Sequence, residues 1–363
     1  MVTAGNLEAI GVEGFKCFDD LKLNVGDLTL MTGFNGGGKS TALQSLLLIA
    51  QTFRVGSGAV LPLNGPLVRL GTAGDVSPAI AKRAMAFTAS GRSGHVSLRP
   101  SLQAGERNLP LAKTKGGLTL DGELGALLAH LTYLAAVRIG AEDAYPIPEA
   151  TEWRDMGHDG RFAPYWFERL ALEDVDARRG FPGLQGNFRK HVDAWLGYLF
   201  PGASANVQNV AGLSQMSLQF RLSELGSWRR PSNIGYGLTY AFPVIVALLA
   251  APPGGLIVID SPEAHLHPFG QSQMGRLLAH FAAAGVQIIV ETHSDHLLNG
   301  ARLAVRETVL APESLQIHFF QGVTADDHGV SQPTVGAGGE IYEWPTGFFD
   351  QSEKDLSRLA GWD

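Results

Sequence analysis

The chain has 363 residues, 45% of them hydrophobic and 17% charged, with a formal net charge of −7. Such a composition excludes a disordered chain, and the length suits one large domain or a core with a sizeable insert. The acidity excludes a protein that coats nucleic acid with its whole surface, so contact with DNA would need a local patch or a partner. The single cysteine, Cys17, excludes an internal disulfide and fits a reducing, cytoplasmic setting. Residues 1–14 carry no basic stretch followed by an apolar run, and the longest apolar run, 241–251, is too short to span a bilayer.

From the N-terminus, LEAIGVEGF (7–15) and LKLNV (21–25) alternate apolar and polar residues as half-buried strands do. DLTLMTG (27–33) is a strand leading into a glycine-rich loop. KSTALQSLLLIAQTF (39–53) carries apolar residues at helical spacing. A glycine-rich connection covers 55–74, and further strands are expected over 81–120, with turns at Gly91, Gly94 and Gly116-Gly117. Residues 122–140 read as a helical stretch followed by the strand LTYLAAVRI (131–139). Residues 165–200 carry Trp, Phe, Leu and charge at helical spacing, a helical insert, and 213–225 alternates again. A glycine-rich segment at 233–238 opens a helix running through VIVALLA (244–250). LIVID (256–260) and VQIIVETH (286–293) are nearly all-apolar strands on either side of an amphipathic helix (267–285), the pattern of a parallel sheet covered on both faces. The tail beyond about 310 mixes short strands with one helix, DQSEKDLSRLAG (350–361).

Gly33-Phe34-Asn35-Gly36-Gly37-Gly38-Lys39-Ser40 fits the phosphate-loop pattern G-x-x-x-x-G-K-[ST], placed between a strand and a helix as that pattern requires. The glycines let backbone N–H groups face inward on phosphate oxygens, and the helix N-terminus favours the negative charge. The cradle predicted for ATP is Asn35, Gly36, Gly37, Gly38, Lys39, Ser40 and Thr41. Lys39 reaches the β- and γ-phosphates, and Ser40 ligates Mg²⁺. Asp260, at the end of LIVID, is expected to join Ser40 in holding Mg²⁺, and Glu263 is the expected general base. His293, after the second apolar strand, is positioned to sense the γ-phosphate. An Asp closing an apolar strand can also be a mere helix cap; the loop upstream favours the functional reading. His265 with His267, and His293 with His296, have spacings that zinc can use, but no cysteine pair supports them, and a dimer-facing loop is the simpler reading.

These residues resemble a known group. VEGFKCFDDLKL and the phosphate loop look like the N-terminal lobe of SMC/RecF/ABC-type ATPases. DSPEAHLHPFGQSQ and VETHSDHLLNGARLAV look like the C-terminal lobe of AAA ATPases related to the overcoming-lysogenization-defect (OLD) nucleases. YEWPTGFFDQSEKDLSRL, LNGPLVRLGTAGDV and LTYLAAVRIG are similar to DUF3696 ATPases. The resemblance implies an α/β P-loop NTPase of ABC/SMC type, a mixed sheet with an N-terminal antiparallel lobe and a helical insert. It divides the chain into 1–120 (first lobe with the phosphate loop), 121–231 (linking strand and lid-like, mostly helical insert), 232–310 (signature, acidic strand and switch histidine) and 311–363 (DUF3696-like). It also implies a signature motif at 232–239, whose Gly235 and Gly237 would meet the γ-phosphate bound to a second copy, making a homodimer or a larger even-numbered oligomer. Asp75, closing the GTAGD stretch, is the candidate for the loop that links nucleotide to insert and a further metal contact; Gln51 lies too early.

Three departures qualify the resemblance. Ser261 stands where ABC proteins place a glutamate, which puts rapid turnover in doubt. Only about 70 residues follow His293, too few for the nuclease domain of the OLD proteins. No residue stands out as the glutamine that links ATP to the insert in ABC proteins. The leading function is an ATP-hydrolysing switch that regulates a separate effector, such as a nuclease in defence or DNA maintenance. The alternatives are the ATPase subunit of a membrane transporter, or a self-contained nuclease. Arg229-Arg230 could touch DNA backbone but read as a solvated turn. Trp153, Trp166, Trp195 and Trp228 read as core packing, and Arg138 is expected near the nucleotide or a carboxylate.

Overall fold

Strands with apolar residues at every position must be covered on both faces, and the central sheet is built that way. The structure, a computed structural model, describes residues 7–55, 58–78, 83–103, 105–112, 122–149, 153–324, 327–345 and 347–361. The turn expected at Gly116-Gly117 lies outside them. The elements are β1 (Leu7–Phe15), β2 (Phe18–Asn24), β3 (Leu28–Gly33), α1 (Lys39–Val55), β4 (Val60–Pro62), α2 (Ala73–Val76), β5 (Ala86–Gly91), β6 (Gly94–Leu98), β7 (Asn108–Pro110), α3 (Glu123–Ala129), β8 (Thr132–Leu134) and β9 (Tyr145–Pro146). They continue with α4 (Ala163–Arg169), α5 (Phe188–Leu199), β10 (Ser204–Asn209), β11 (Gln215–Arg221), α6 (Tyr236–Ala250), β12 (Leu256–Asp260), α7 (Pro268–Ala283), β13 (Gln287–Glu291), α8 (Asp295–Arg306), β14 (Leu315–Thr324), β15 (Asp327–Ser331), β16 (Thr334–Val335), β17 (Ile341–Tyr342) and α9 (Gln351–Ala360).

The central sheet has the order β15-β14-β3-β13-β12-β8. Its five inner and far strands run parallel, and β15 pairs antiparallel at one edge. Successive side chains point to opposite faces, so each strand feeds two cores. Leu256, Val258, Ile289, Met31 and Phe320 join the N-terminal core with α1. Ile257, Ile259, Ile288, Val290, Leu30 and Ile317 join the other core with α6, α7 and α8. An antiparallel sheet, β2-β1-β5-β6, closes the first core from outside. This is the mixed sheet with an antiparallel N-terminal lobe that the sequence implies.

The 141–230 stretch holds α4 and α5 together with the three-stranded sheet β10-β11-β9. Phe188, Val192, Trp195 and Leu196 of α5 share one apolar core with α6 and α7. Trp195 packs on Phe181, Tyr198 and Phe281. The strand expected over 131–139 ends at Leu134. Beyond it the N–H groups of Ala135 and Ile139 donate to the carbonyls of His158 and Asp159, so the chain leaves the sheet to follow a neighbouring loop. In the tail, Phe348 is buried against Phe319 and Trp344.

Candidate nucleotide site

In a parallel sheet ligands gather outside the carboxyl ends of the strands, and here β3, β13 and β12 deliver their ends side by side. Gly33 leaves β3 with φ +134°, and Gly36 and Gly38 take φ of +75° and +101°. A side chain at Gly33 would also run into the Phe320 backbone, so close approach and dihedral both call for glycine. The loop then enters α1. A cavity of about 320 Å³ opens over it, lined by Cys17, residues 35–41, Glu291 and His293. A larger cavity, about 490 Å³, lies around Trp153, Arg154 and Pro252 and shares none of these residues. We place the site at the smaller one because only there do a glycine loop, a lysine and strand-end carboxylates converge.

Lys39 is buried, and its Nζ donates to the carbonyls of Gly33 (2.9 Å) and Phe34 (2.8 Å). Burial lowers its pKa, with Glu291 and Asp260 opposing the shift. The Ser40 hydroxyl donates to Glu291 Oε1 at 3.0 Å. Asp260 and Glu291 are register partners at the ends of β12 and β13. Leu256, Val258 and Ile289 face α1, so the two-residue period carries both carboxylates to that same face, where Ser40 lies. Burial, and next the charge of Asp260, push the Glu291 carboxyl up to about 7. Its Oε2 is buried with no partner. Asp260 Oδ1 accepts from the Ser261 hydroxyl at 2.8 Å. Arg138, 3% exposed, braces this strand end by donating to the carbonyls of Asp260 (2.7 Å) and Ser261 (3.2 Å). Burial lowers its pKa to about 10, against the pull of Asp260 and Glu263. The sequence places Arg138 near the nucleotide or a carboxylate; it feels the charges of Asp260 and Glu263, but its hydrogen bonds go to main-chain oxygens.

Glu263 and Asp75 are placed for other work than the sequence suggests. Glu263 does not line the cavity. It is buried, and its Oε1 accepts from the Thr292 hydroxyl and the His293 N–H, both at 2.8 Å. Burial raises its pKa. It ties the turn after β12 to the chain that carries His293. Asp75 is also absent from the cavity lining; its carboxylate caps α2, accepting from the Thr72 N–H (2.7 Å) and hydroxyl (2.8 Å). Gln51 is fully buried and braces the 62–68 segment through Pro62, Leu67 and Val68. His293 lines the cavity, and burial and then Lys39 lower its pKa.

The two signature glycines differ. Gly235 is exposed at the N-cap of α6, and nothing lies within 4 Å of where its Cβ would be. Gly237 is buried, its Cβ position 2.8 Å from the His265 carbonyl oxygen, so it serves close packing. His265 stacks on Tyr240 and Tyr236, the latter 56% exposed beside Gly235. The His265 ring is thus engaged, and His267 Nδ1 accepts from the Phe269 N–H. Among the described residues no group of three or more His, Cys, Asp or Glu is arranged to hold a metal. Ser40, Asp260 and Glu291 form a smaller set of hard oxygen donors, of the kind magnesium takes, and the orphaned Glu291 oxygen fits a cation there.

Parts of the chain are similar to known families. A model for an AAA domain, whose description also names an AbiEii toxin and a type IV TA system, matches residues 141–299. A second, for a family of unknown function (DUF3696), matches 310–359. The OLD nuclease of Thermus scotoductus is 23% identical over 321 residues, 79% of this chain. The chain is similar to the SMC/ABC-like AAA-type ATPases of the OLD-related group. The chain spans 59% of the length of that curated relative. Its fold is that of SMC heads. The SMC head bound to the C-winged helix domain of ScpA shares 13% identity at a TM-score of 0.52, over 91% of this chain and 98% of that one. The Pyrococcus furiosus head, with an extended coiled coil and bound to the C-terminal domain of ScpA, gives 12% and 0.51, over 98% and 99%. Glu291 lines the cavity although the sequence pattern points first to its neighbour His293. The signal was present: both apolar strands, LIVID and QIIVE, end in a carboxylate on the same parity.

Proposed function

We propose that the chain binds ATP with Mg²⁺ at residues 33–41 and works as a switch in which two copies close around the nucleotides. The observation that carries this is the convergence of Lys39, Ser40, Asp260, Glu291 and His293 around one glycine loop. Lys39 would exchange the Gly33 and Phe34 carbonyls for β- and γ-phosphate oxygens, and the N–H groups of 35–41 would cradle the chain of phosphates. Ser40 and Asp260 would hold magnesium, which when bound neutralises charge on the phosphate oxygens. His293 would read the γ-phosphate, with Glu263 fixing its main chain. Glu263 is thereby a positioning residue, and hydrolysis is slow because Ser261 supplies no carboxylate beside Asp260.

Gly235 and Tyr236 present the open end of α6 outward, and in the closed pair they would face the γ-phosphate held by the second copy. A contact that exists only with a triphosphate biases closure by its own free energy. The OLD nuclease and the toxin–antitoxin description of the AAA family support an effector partner, a nuclease in defence or DNA maintenance. DNA contact would come through that partner or a local patch. Among the described residues no helix is long and apolar enough to cross a membrane. Calorimetric titration with ATP–Mg²⁺ tests the reading. The wild type is expected to bind, and Lys39→Ala, shown folded by its melting curve, is expected to lose affinity at least tenfold. Equal affinity in the two would refute it.

A further inference from the structure

We propose that Glu291 is the second carboxylate of the magnesium site, sharing the cation with Ser40 and Asp260; the inference rests on the nucleotide reading above. Three geometric facts carry it. The register pairs Asp260 with Glu291 on neighbouring parallel strands, and the side-chain period turns both toward α1. Glu291 Oε1 already accepts the hydroxyl of Ser40, the residue that ligates magnesium in phosphate loops of this pattern. Glu291 Oε2 is buried, makes no hydrogen bond, and belongs to a side chain 4% exposed that lines the phosphate-loop cavity.

The neighbouring residues exclude other holders of this role. Ser261 follows Asp260 and spends its hydroxyl on the Asp260 carboxylate. Glu263 gives its Oε1 to Thr292 and the His293 main chain; its Oε2 is also buried without a partner, but Glu263 does not line the phosphate-loop cavity. Glu291 is the carboxylate that lines the cavity. Its bond to Ser40 places it on the cation side of the triphosphate. A base for the attacking water would stand beyond the γ-phosphate, opposite the leaving oxygen. A purely structural Glu291 would need only the Ser40 bond, and burying a second, unpaired oxygen would then cost free energy for nothing.

The probe is manganese(II) with ADP, read by electron paramagnetic resonance, alongside ADP binding in excess chelator. Glu291→Gln keeps the shape and can still accept the Ser40 hydroxyl. It is expected to weaken Mn²⁺ binding in the ADP complex about tenfold or more, while metal-free ADP affinity changes less than twofold. Glu291→Asp, retaining the charge on a shorter arm, is expected to recover part of the loss. Mn²⁺ affinity within twofold of wild type in Glu291→Gln overturns the inference and leaves the nucleotide reading standing. A comparable loss of metal-free ADP affinity also overturns it, since the residue would then serve the loop rather than the cation. Failure of the wild type to bind ADP with or without metal overturns both.

Discussion

Asp193 makes the fold respond to pH in a direction opposite to most carboxylates. It sits on α5, and its Oδ1 accepts the Ala205 N–H at 2.9 Å, joining that helix to the start of β10. Burial pushes its carboxyl up to about 6 from an ordinary 3.8, while the Ala205 N–H, Arg189 and Arg221 pull it down. A raised carboxyl means that the folded chain holds its proton more tightly than the unfolded chain. The stability that Asp193 contributes is therefore fully present below about pH 4, falls as the pH rises through 4 to 6, and is lost above 6. Roughly two pH units at about 1.4 kcal/mol each give an upper value of about 3 kcal/mol. Asp193→Asn cannot ionise and keeps an oxygen for Ala205. Urea unfolding at pH 8 should show it more stable than wild type by about 1–3 kcal/mol, with the gain shrinking at pH 4.5. Equal stability at pH 8, or the same gain at both pH values, would show that Asp193 does not carry this pH dependence.

Gly33→Ala must hold φ +134° and fit a methyl against the Phe320 backbone; a loss of about 2–4 kcal/mol is expected in thermal melts. Arg138→Met removes both donors to the Asp260 and Ser261 carbonyls. It should cost about 1–3 kcal/mol of stability and lower the hydrolysis rate more than ADP affinity. Trp195→Ala should cost about 3–5 kcal/mol. Because Trp195 belongs to the core of α6 and α7, the loss should appear in one cooperative transition, with residues 163–221 not unfolding separately in limited proteolysis.

Much of this molecule could be read from its residues. The parallel strands announced themselves because both faces of the sheet are covered, and β3 and α1 followed from the glycine loop between them. What failed was direction. Sequence gives the distance of Glu263 and Asp75 from the acidic strand and the loop, but not where their carboxylates turn. Glu263 turns to the chain around His293, and Asp75 to its own helix. Local pattern also cannot see a partner far along the chain. LTYLAAVRI looks like one strand, yet main-chain bonds to His158 and Asp159 draw it out of the sheet after Leu134. Gly235 and Gly237 look alike in sequence, and only packing against the His265 carbonyl separates them. Glu291 was legible by parity, but its neighbour His293 drew the attention.

In the proposed closed pair, one copy's Gly235 end of α6 meets the nucleotide gripped by the other. Gly235 has φ −61° and open space at its Cβ position, and it caps a helix, where aspartate is well tolerated. Gly235→Asp should therefore fold and bind ATP–Mg²⁺ as the wild type does, yet set a negative charge against the partner's γ-phosphate. Light scattering with ATP–Mg²⁺ is expected to show the wild type at twice its monomer mass and Gly235→Asp as a monomer. A wild type whose mass does not change with ATP, or a Gly235→Asp variant that dimerises as readily, would rule out this contact.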